Sequence, residues 1–447
     1  MRILHLADLH LDTLFAARSP ELRDRLREAG REVLRRAVSL AIEREVDGVL
    51  MAGDLFDGRR LSYRTERFLL RELERLGEAG IPFLYCTGNH DPGQGIAGSG
   101  RIEWPDHVEL FDRPQPRTVE LRRDGEVVGT VTAAGHAVAH EADDLSTRFP
   151  SPSSWRDSQP AESGAPDAVG PEGQAGAGLP AVAMLHTQVT GAGGAADHDR
   201  YAPSELPNLR RAGYDYWALG HIHLREALER LPGIHYPGNP QGRSPRETGA
   251  KGALLVELPG AGVAPSVEFV ELAPVRWERL EVDGLRAATT FDEFIGIVGD
   301  RWRELRAEDP GLPGTQWIVR LVPVGASPLA AELDHPESRR DLGDEIARTL
   351  DLLGVELRVE GIRSTVDPDQ YRERRDPAGL ALRLLAEAES REGTAALIER
   401  IGLDPAELAG FRDAPESDPS GYVRRLLGGG LGARILIEHF RREGESP

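Results

Sequence analysis

Five apolar segments of the chain end in carboxylate, amide or imidazole side chains. They read "ADLH", "AGDLFD", "TGNHD", "AMLH" and "ALGHIH". A His-x-His pair such as the one in the last segment is weak on its own as a metal signature. Five segment ends of this kind in one chain indicate a common site, because polar groups seldom close buried strands without a role. The candidate ligands are Asp8, His10, Asp54, Asn89, His186, His221 and His223.

The ligand types restrict the chemistry. Oxygen and imidazole donors without thiolate suit Mn²⁺, Fe²⁺ or Zn²⁺, and seven donors are too many for one ion. They fit two divalent ions about 3.5–4 Å apart with one shared carboxylate, an arrangement used in phosphoryl chemistry. We therefore expect two divalent ions per chain, with manganese, iron and zinc all compatible with these donors.

His90 directly follows Asn89, so it can lie at the site without binding a metal. We expect it to act as a catalytic general acid, with Asp91 placed to orient its ring. The alternative for Asp91 is a cap on the following turn.

The elements that position these residues alternate along the first ninety residues. Apolar runs end near residues 8, 54 and 91, and the stretches 20–44 and 62–79 have helical periodicity. This order predicts a parallel α/β sheet, whose functional groups gather at the carboxyl ends of its strands. Gly53, Gly88 and Gly220 precede ligands, where a tight turn or close backbone approach is useful.

Later segments predict further organisation. Residues 117–139 read as a hairpin, and 141–180 are rich in Ser, Pro, Gly and Ala, which predicts a disordered insertion. Strands resume near residue 181. After residue 275 a β-α-β-α-β series follows, and helical periodicity begins near residue 376. We expect one domain over 1–275, a small α/β domain over 276–370 and a helical region over 376–447.

Composition excludes several classes of protein. The 447 residues carry a formal net charge of −20, which argues against a generally basic nucleic-acid coat but leaves nucleic acid open as a substrate. The N-terminus reads as a strand and not as a signal peptide, and no apolar run is long enough for a membrane span. Cys86 is the only cysteine, and Lys251 is the only lysine. We expect a cytoplasmic protein that works away from membranes.

The five segments, in this order over residues 8 to 223, resemble the signature of the calcineurin-like metallophosphoesterases. The resemblance implies a β-sandwich flanked by helices. It assigns one metal to Asp8, His10, Asp54 and His223, and the other to Asp54, Asn89, His186 and His221. It also gives His90 the catalytic role.

The flanking sequences "MRILHLADLHLDTLF" and "YPGNPQGRSPRETGAKGALLVEL" resemble the DNA-repair nuclease branch of that family, which includes SbcD-type and YhaO-type proteins. This resemblance covers roughly residues 1–275. It implies a DNA exonuclease or endonuclease, a homodimer and an SMC-like ATPase partner of the SbcC or YhaN type. By order alone, 276–370 would be a capping domain and the C-terminal helices would bind the partner. Asp57 stands where archaeal and eukaryotic members carry a histidine.

Arginines in the loops after the site strands are candidates for holding substrate phosphates, with solvated surface residues as the alternative. They are Arg59, Arg60, Arg243 and Arg246. Two other functions stay open: a phosphoesterase acting on a non-DNA monoester or diester, which the acidic charge favours, and a non-catalytic scaffold of an ATPase complex.

Overall fold

The computed structural model describes residues 1–15, 19–58, 61–95, 101–152, 178–193, 201–365 and 371–388, together with residues 396, 433 and 437. The chain divides into two compact units. The first comprises Met1–Arg279 and Pro310–Val319, and the second comprises Leu280–Asp309 and Arg320–Pro447.

Two mixed sheets, each of six described strands, form the centre of the first unit. The first sheet has the order β12-β11-β1-β2-β3-β4, with β1 to β4 parallel and β11 and β12 antiparallel to their neighbours. Its strands are β1 (Arg2–Leu6), β2 (Gly48–Ala52), β3 (Phe83–Cys86), β4 (Val108–Phe111), β11 (Gly252–Glu257) and β12 (Ser266–Glu271).

The second sheet has the order β5-β6-β7-β8-β10-β9, and its four central strands run parallel. The hairpin expected near residues 117–139 forms one edge of this sheet. The strands are β5 (Arg117–Arg123), β6 (Glu126–Ala134), β7 (Ala181–His186), β8 (Tyr216–Gly220), β9 (Glu226–Arg230) and β10 (Gly233–Tyr236).

Helices cover the outer faces of this sandwich. Helices α1 (Pro20–Glu43) and α2 (Tyr63–Glu78) share a core with the first sheet, and α3 (Leu206–Ala212) shares one with the second. A third core lies between the sheets and includes Leu50 and Met184. Helix α1 begins where the Ser19 side chain accepts a hydrogen bond from the Leu22 amide. The fold is thus the β-sandwich flanked by helices that the resemblance implied.

The second unit contains α4 (Phe291–Glu308), which opens with a capping box between Thr290 and Glu293. The shorter helices α5 (Ala330–Asp334) and α6 (Pro336–Thr349) follow, and α7 (Pro377–Ala388) comes after them. Among the described residues, β13 (Val275–Val282), β14 (Gln316–Pro323) and β16 (Gly354–Leu357) form one sheet, and β15 (Gly325–Ser327) pairs with β17 (Ile362–Ser364).

The disordered insertion expected over residues 141–180 overlaps residues that the structure describes. Residues Leu145–Arg148 form a 3₁₀ turn, and Leu145 and Phe149 are buried in the core beside the second sheet. The expectation of disorder is therefore wrong for residues 141–152, because two apolar side chains anchor this otherwise polar stretch. Residues 153–177 lie outside the described part. No helix among the described residues is long and apolar enough to cross a membrane.

Candidate metal centre and active site

The carboxyl ends of β1, β2, β3, β7 and β8 bring all seven candidate ligands together. In one group, His223 Nε2 lies 3.2 Å from His10 Nε2 and 3.9 Å from Asp8 Oδ1. Potential ligand atoms of Asp8, His10 and His223 all lie within 4.8 Å of one another. This geometry is compact enough for a single ion.

A second group forms around Asn89. Its Oδ1 lies 2.9 Å from His186 Nε2 and 3.1 Å from His221 Nδ1. Asp54 stands between the groups, because its Oδ2 is 3.6 Å from His10 Nε2 and 3.5 Å from His186 Nε2. His221 and His223 therefore turn to different groups although they are one residue apart.

The backbone at the ligands is unusual. Four ligand residues have positive φ angles, a region that non-glycine residues seldom occupy and that accumulates at functional sites. They are Asp8 (57°), His10 (48°), Asp54 (53°) and His221 (101°). Backbone hydrogen bonds hold these turns, including Asp8 N to Gly53 O at 3.1 Å and His10 N to Asp54 O at 2.9 Å.

Two glycines allow the strand ends to meet. A Cβ on Gly220 would lie 1.7 Å from the carbonyl oxygen of Ala52, and a Cβ on Gly88 would lie 2.3 Å from Asp54 Oδ1. Close approach, and not a positive φ, explains glycine at both positions.

The electrostatics of the cluster suit divalent cations. Burial raises the pKa of Asp8 well above its ordinary value, and the Asp54 carboxylate adds to the rise. Burial likewise raises the pKa of Asp54 to about 8, with Asp91 adding to it. Burial lowers the pKa of His10, so its ring stays in the neutral form that binds metals. Bound cations would keep the carboxylates ionised and satisfy the facing imidazoles, so the donor set fits the two expected ions.

His90 lies beside this cluster, and its orienting partner differs from the sequence interpretation. Its Nδ1 is 2.9 Å from Asp57 Oδ1, and this hydrogen bond raises the pKa of His90. Burial pushes the pKa of Asp57 upward, but the His90 hydrogen bond and the charge of Arg243 outweigh it and hold the pKa below its ordinary value. The pair is suited to keep a proton on His90.

Asp91 is occupied elsewhere. Its Oδ1 accepts hydrogen bonds from the amides of Gly88 (2.7 Å) and Asp54 (3.2 Å), and its Oδ2 accepts from the Phe56 amide (3.1 Å) and the Tyr85 hydroxyl (2.5 Å). Asp91 thus ties the loops after β2 and β3 together. The sequence predicted that Asp91 orients His90 or caps the following turn. In the structure Asp91 instead links two separate loops.

An open cleft of about 640 Å³ adjoins the cluster and is lined by His90, His221, His223, Arg243 and Leu224, among others. Arg243 Nη1 lies 3.6 Å from Asp57 Oδ2. Its Nε is buried and has no hydrogen-bond partner among the described residues. Arg246 also lines the cleft, whereas Arg59 and Arg60 lie outside the described residues.

Sequence reasoning missed Glu247 and Lys251. Glu247 Oε1 lies 2.7 Å from His223 Nδ1, and Lys251 Nζ donates to the His223 carbonyl at 3.0 Å. Burial pushes the pKa of Glu247 upward, but the His223 hydrogen bond and nearby charges outweigh it and lower it to about 2. Both residues stand in a loop without periodicity. The available signals were that both residues lie in the segment that resembles the DNA-repair nuclease branch, and that Lys251 is the only lysine of the chain.

Comparison with known proteins gives consistent matches. The family model described as calcineurin-like phosphoesterase matches residues 1–225. The uncharacterized metallophosphoesterase YhaO of Bacillus subtilis is 32% identical over 333 residues, which are 73% of this chain and 72% of that protein.

Two further relatives are less similar to this chain. The DNA double-strand break repair protein Mre11 of Haloferax volcanii is 28% identical over 69% of this chain and 59% of its own length. SbcD of the nuclease SbcCD of Bacillus subtilis is 27% identical over 58% of this chain and 66% of its own length.

Proposed function

The chain belongs to the calcineurin-like phosphoesterase family, and from this membership and the site geometry we propose that it is a two-metal phosphodiesterase acting on DNA. The observation that carries the proposal is the convergence of the seven candidate ligands beside the His90–Asp57 pair. Similarity to Mre11 and to SbcD supports DNA as the substrate.

In this proposal, Asp8, His10, Asp54 and His223 hold one ion, and Asp54, Asn89, His186 and His221 hold the other. Two such ions supply Lewis-acid polarisation of a phosphoryl group and increase the acidity of water. Manganese is the metal that we propose, with iron or zinc as alternatives that share this donor preference.

The chain's own residues handle the proton and the substrate charge. Asp57 accepts from Nδ1 of His90 and stabilises the protonated ring, which leaves Nε2 to donate a proton to the departing oxygen. We propose that the Arg243 guanidinium, which lines the cleft, binds a non-bridging phosphate oxygen. The exposed Leu224 at the cleft adds an apolar contact for the remainder of the substrate.

We further propose that the chain works as a homodimer with an SMC-like ATPase in the cytoplasm, that 276–370 caps the nuclease domain, and that the C-terminal region binds the ATPase. Helix α7 supports the last point: Leu382 is buried with Ala433 and Ile437, whereas Leu380 and Leu384 are exposed. An apolar pair four residues apart on an exposed helix face suits a partner helix. Changing both exposed leucines to glutamate should abolish co-purification with the ATPase.

The test is cleavage of single- and double-stranded DNA in Mn²⁺, compared with hydrolysis of bis-p-nitrophenyl phosphate. The full-length protein should cut DNA, with or without its ATPase, and Asp54→Asn should abolish cleavage. Glu257→Gln is the matched acidic control, because Glu257 is exposed and pairs with Arg2 away from the ligands. Hydrolysis of the small diester without any DNA cleavage would favour the non-DNA phosphoesterase, which the net charge of −20 also favours.

A further inference from the structure

The loop between β10 and β11 packs against His223 through Glu247. One oxygen of this carboxylate lies 2.7 Å from His223 Nδ1. The other accepts from Asn239 Nδ2 at 3.0 Å and from the Arg243 amide at 2.5 Å. The side chain is only 15% exposed, so solvent competes weakly for these bonds.

The side chain of Lys251 contacts the main chain of the same histidine. The Lys251 residue is 8% exposed, and its ammonium group donates to the His223 carbonyl at 3.0 Å. Its own carbonyl accepts from the amides of Leu272 (2.9 Å) and Ala273 (3.1 Å), which fixes its backbone. The ring and the backbone of His223 are therefore fixed by two different residues of one loop.

These contacts determine which ring nitrogen of His223 faces the ligand cluster. A carboxylate that accepts from Asn239 and Arg243 also requires a hydrogen from the imidazole, so Nδ1 carries it. Nε2 is then left with its lone pair, 3.2 Å from His10 Nε2 and 3.9 Å from Asp8 Oδ1. Carboxylates that hold metal-binding histidines in this way orient the ring and make it more basic.

We propose that Glu247 is a positioning residue that sets the tautomer and orientation of His223 for metal binding, and that Lys251 fixes the His223 backbone. Glu247 is not itself a ligand, because both of its oxygens are engaged with the protein. The inference rests on the proposed two-metal function, since it assigns His223 to an ion.

Metal affinity gives a readout that does not depend on turnover. Mn²⁺ is titrated calorimetrically into the full-length protein, Glu247→Gln, Lys251→Met and the control Glu257→Gln. Loss of an outer partner of a metal-binding histidine typically costs about 10–100-fold in affinity. We expect a loss of this size at one of two sites in Glu247→Gln, a smaller loss in Lys251→Met, and wild-type binding in the control.

Lys251→Met leaves the Glu247 contacts to the loop in place, so it tests the backbone contact even if Glu247→Gln fails to fold. A second measurement needs no variant: ¹⁵N NMR of histidine-labelled, metal-free protein should show His223 with its hydrogen on Nδ1. A hydrogen on Nε2, or affinities in both variants within twofold of wild type, would overturn the inference. Fewer than two ions bound by the wild-type protein would instead refute the proposed function.

Discussion

Most of the ligand side chains are buried, although Asn89, His221 and His223 also line the cleft, whereas the His90–Asp57 pair beside them is more exposed to solvent. Asp8 is 1% exposed and His186 is fully buried, but the side chains of His90 and Asp57 are 40% and 20% exposed. Backbone hydrogen bonds at residues with positive φ hold the ligand cluster. His90 and Asp57, in contrast, are joined by a hydrogen bond between their side chains. Changes in the cluster should therefore cost stability and metal binding together, and changes in the pair should cost turnover alone.

The largest effect that would separate the two parts is expected for His90→Ala. If His90 is the general acid proposed above, its loss should lower kcat about 10²–10⁴-fold. Mn²⁺ affinity should stay within twofold of wild type, because the His90 side chain is not among the proposed ligands. Steady-state cleavage of DNA together with metal titration checks both expectations.

The leaving group sharpens this prediction. A p-nitrophenolate departs without protonation, so His90→Ala should impair hydrolysis of bis-p-nitrophenyl phosphate far less than cleavage of DNA. Equal losses on both substrates, or a matching fall in Mn²⁺ affinity, would mean that His90 acts as part of the ligand cluster and not as a proton donor.

The next largest effect is expected for Gly220→Ala, which acts on the ligand cluster. The added Cβ would lie 1.7 Å from the Ala52 carbonyl oxygen, so β8 and the end of β2 must separate. Overpacking of this kind typically costs about 1–3 kcal/mol in the free energy of unfolding. Urea unfolding of the metal-free protein measures it.

Gly296→Ala in α4 is the matched control, because a Cβ there would meet no described atom within 4 Å. An alanine in a helix interior is favoured over glycine by about 0.5–1 kcal/mol. Unfolding free energies that change equally in both variants would contradict the close-approach explanation for Gly220.

Asp57→Asn should have a smaller effect than removal of His90. An amide can still accept from the ring nitrogen, but it lacks the charge that stabilises the protonated ring. We expect about a tenfold fall in kcat, equivalent to about 1.4 kcal/mol, with unchanged Mn²⁺ affinity.

Asp91→Asn, in contrast, should lower the free energy of unfolding, since Asp91 ties two buried loops together. If Asp91→Asn left stability intact while removing activity, the assignment of the two aspartates would have to be reversed.

A separate effect concerns the acid stability of the buried strand β1. Burial lowers the pKa of His5 to about 3, where it contacts the Tyr216 hydroxyl and the Leu219 carbonyl. Between pH 6.5 and 3 the unfolded chain therefore binds a proton that the folded chain does not, so stability falls as pH falls. One such group contributes a slope of up to about 1.4 kcal/mol per pH unit. In urea titrations at pH 7 and 5, His5→Asn should show the shallower dependence, and an unchanged dependence would exclude His5 as the cause.

The ligand cluster was predictable from the sequence because the pattern that identifies it is local. Each ligand follows an apolar strand, and parallel strands bring their carboxyl ends to one edge. Even the glycines before Asp54, Asn89 and His221 could be read as points of close approach. Metal binding itself stays a prediction.

The partners of His90 and His223 were not predicted, because both contacts join distant loops. Nothing in the local pattern ranks Asp57 above Asp91, since Asp91 is the nearer neighbour of His90 in sequence. Glu247 meets His223 across 24 residues through a loop whose path no periodicity defines. Side chains that act on ligands from outside are fixed by tertiary packing, and a single sequence carries little trace of them.

The most direct test of the proposed two-metal site is the anomalous diffraction of crystals grown with Mn²⁺. We expect two manganese peaks about 3.5–4 Å apart. One should lie against Asp8, His10 and His223, the other against Asn89, His186 and His221, with Asp54 between them. A single peak, or two peaks that leave His221 and His223 on the same ion, would contradict it.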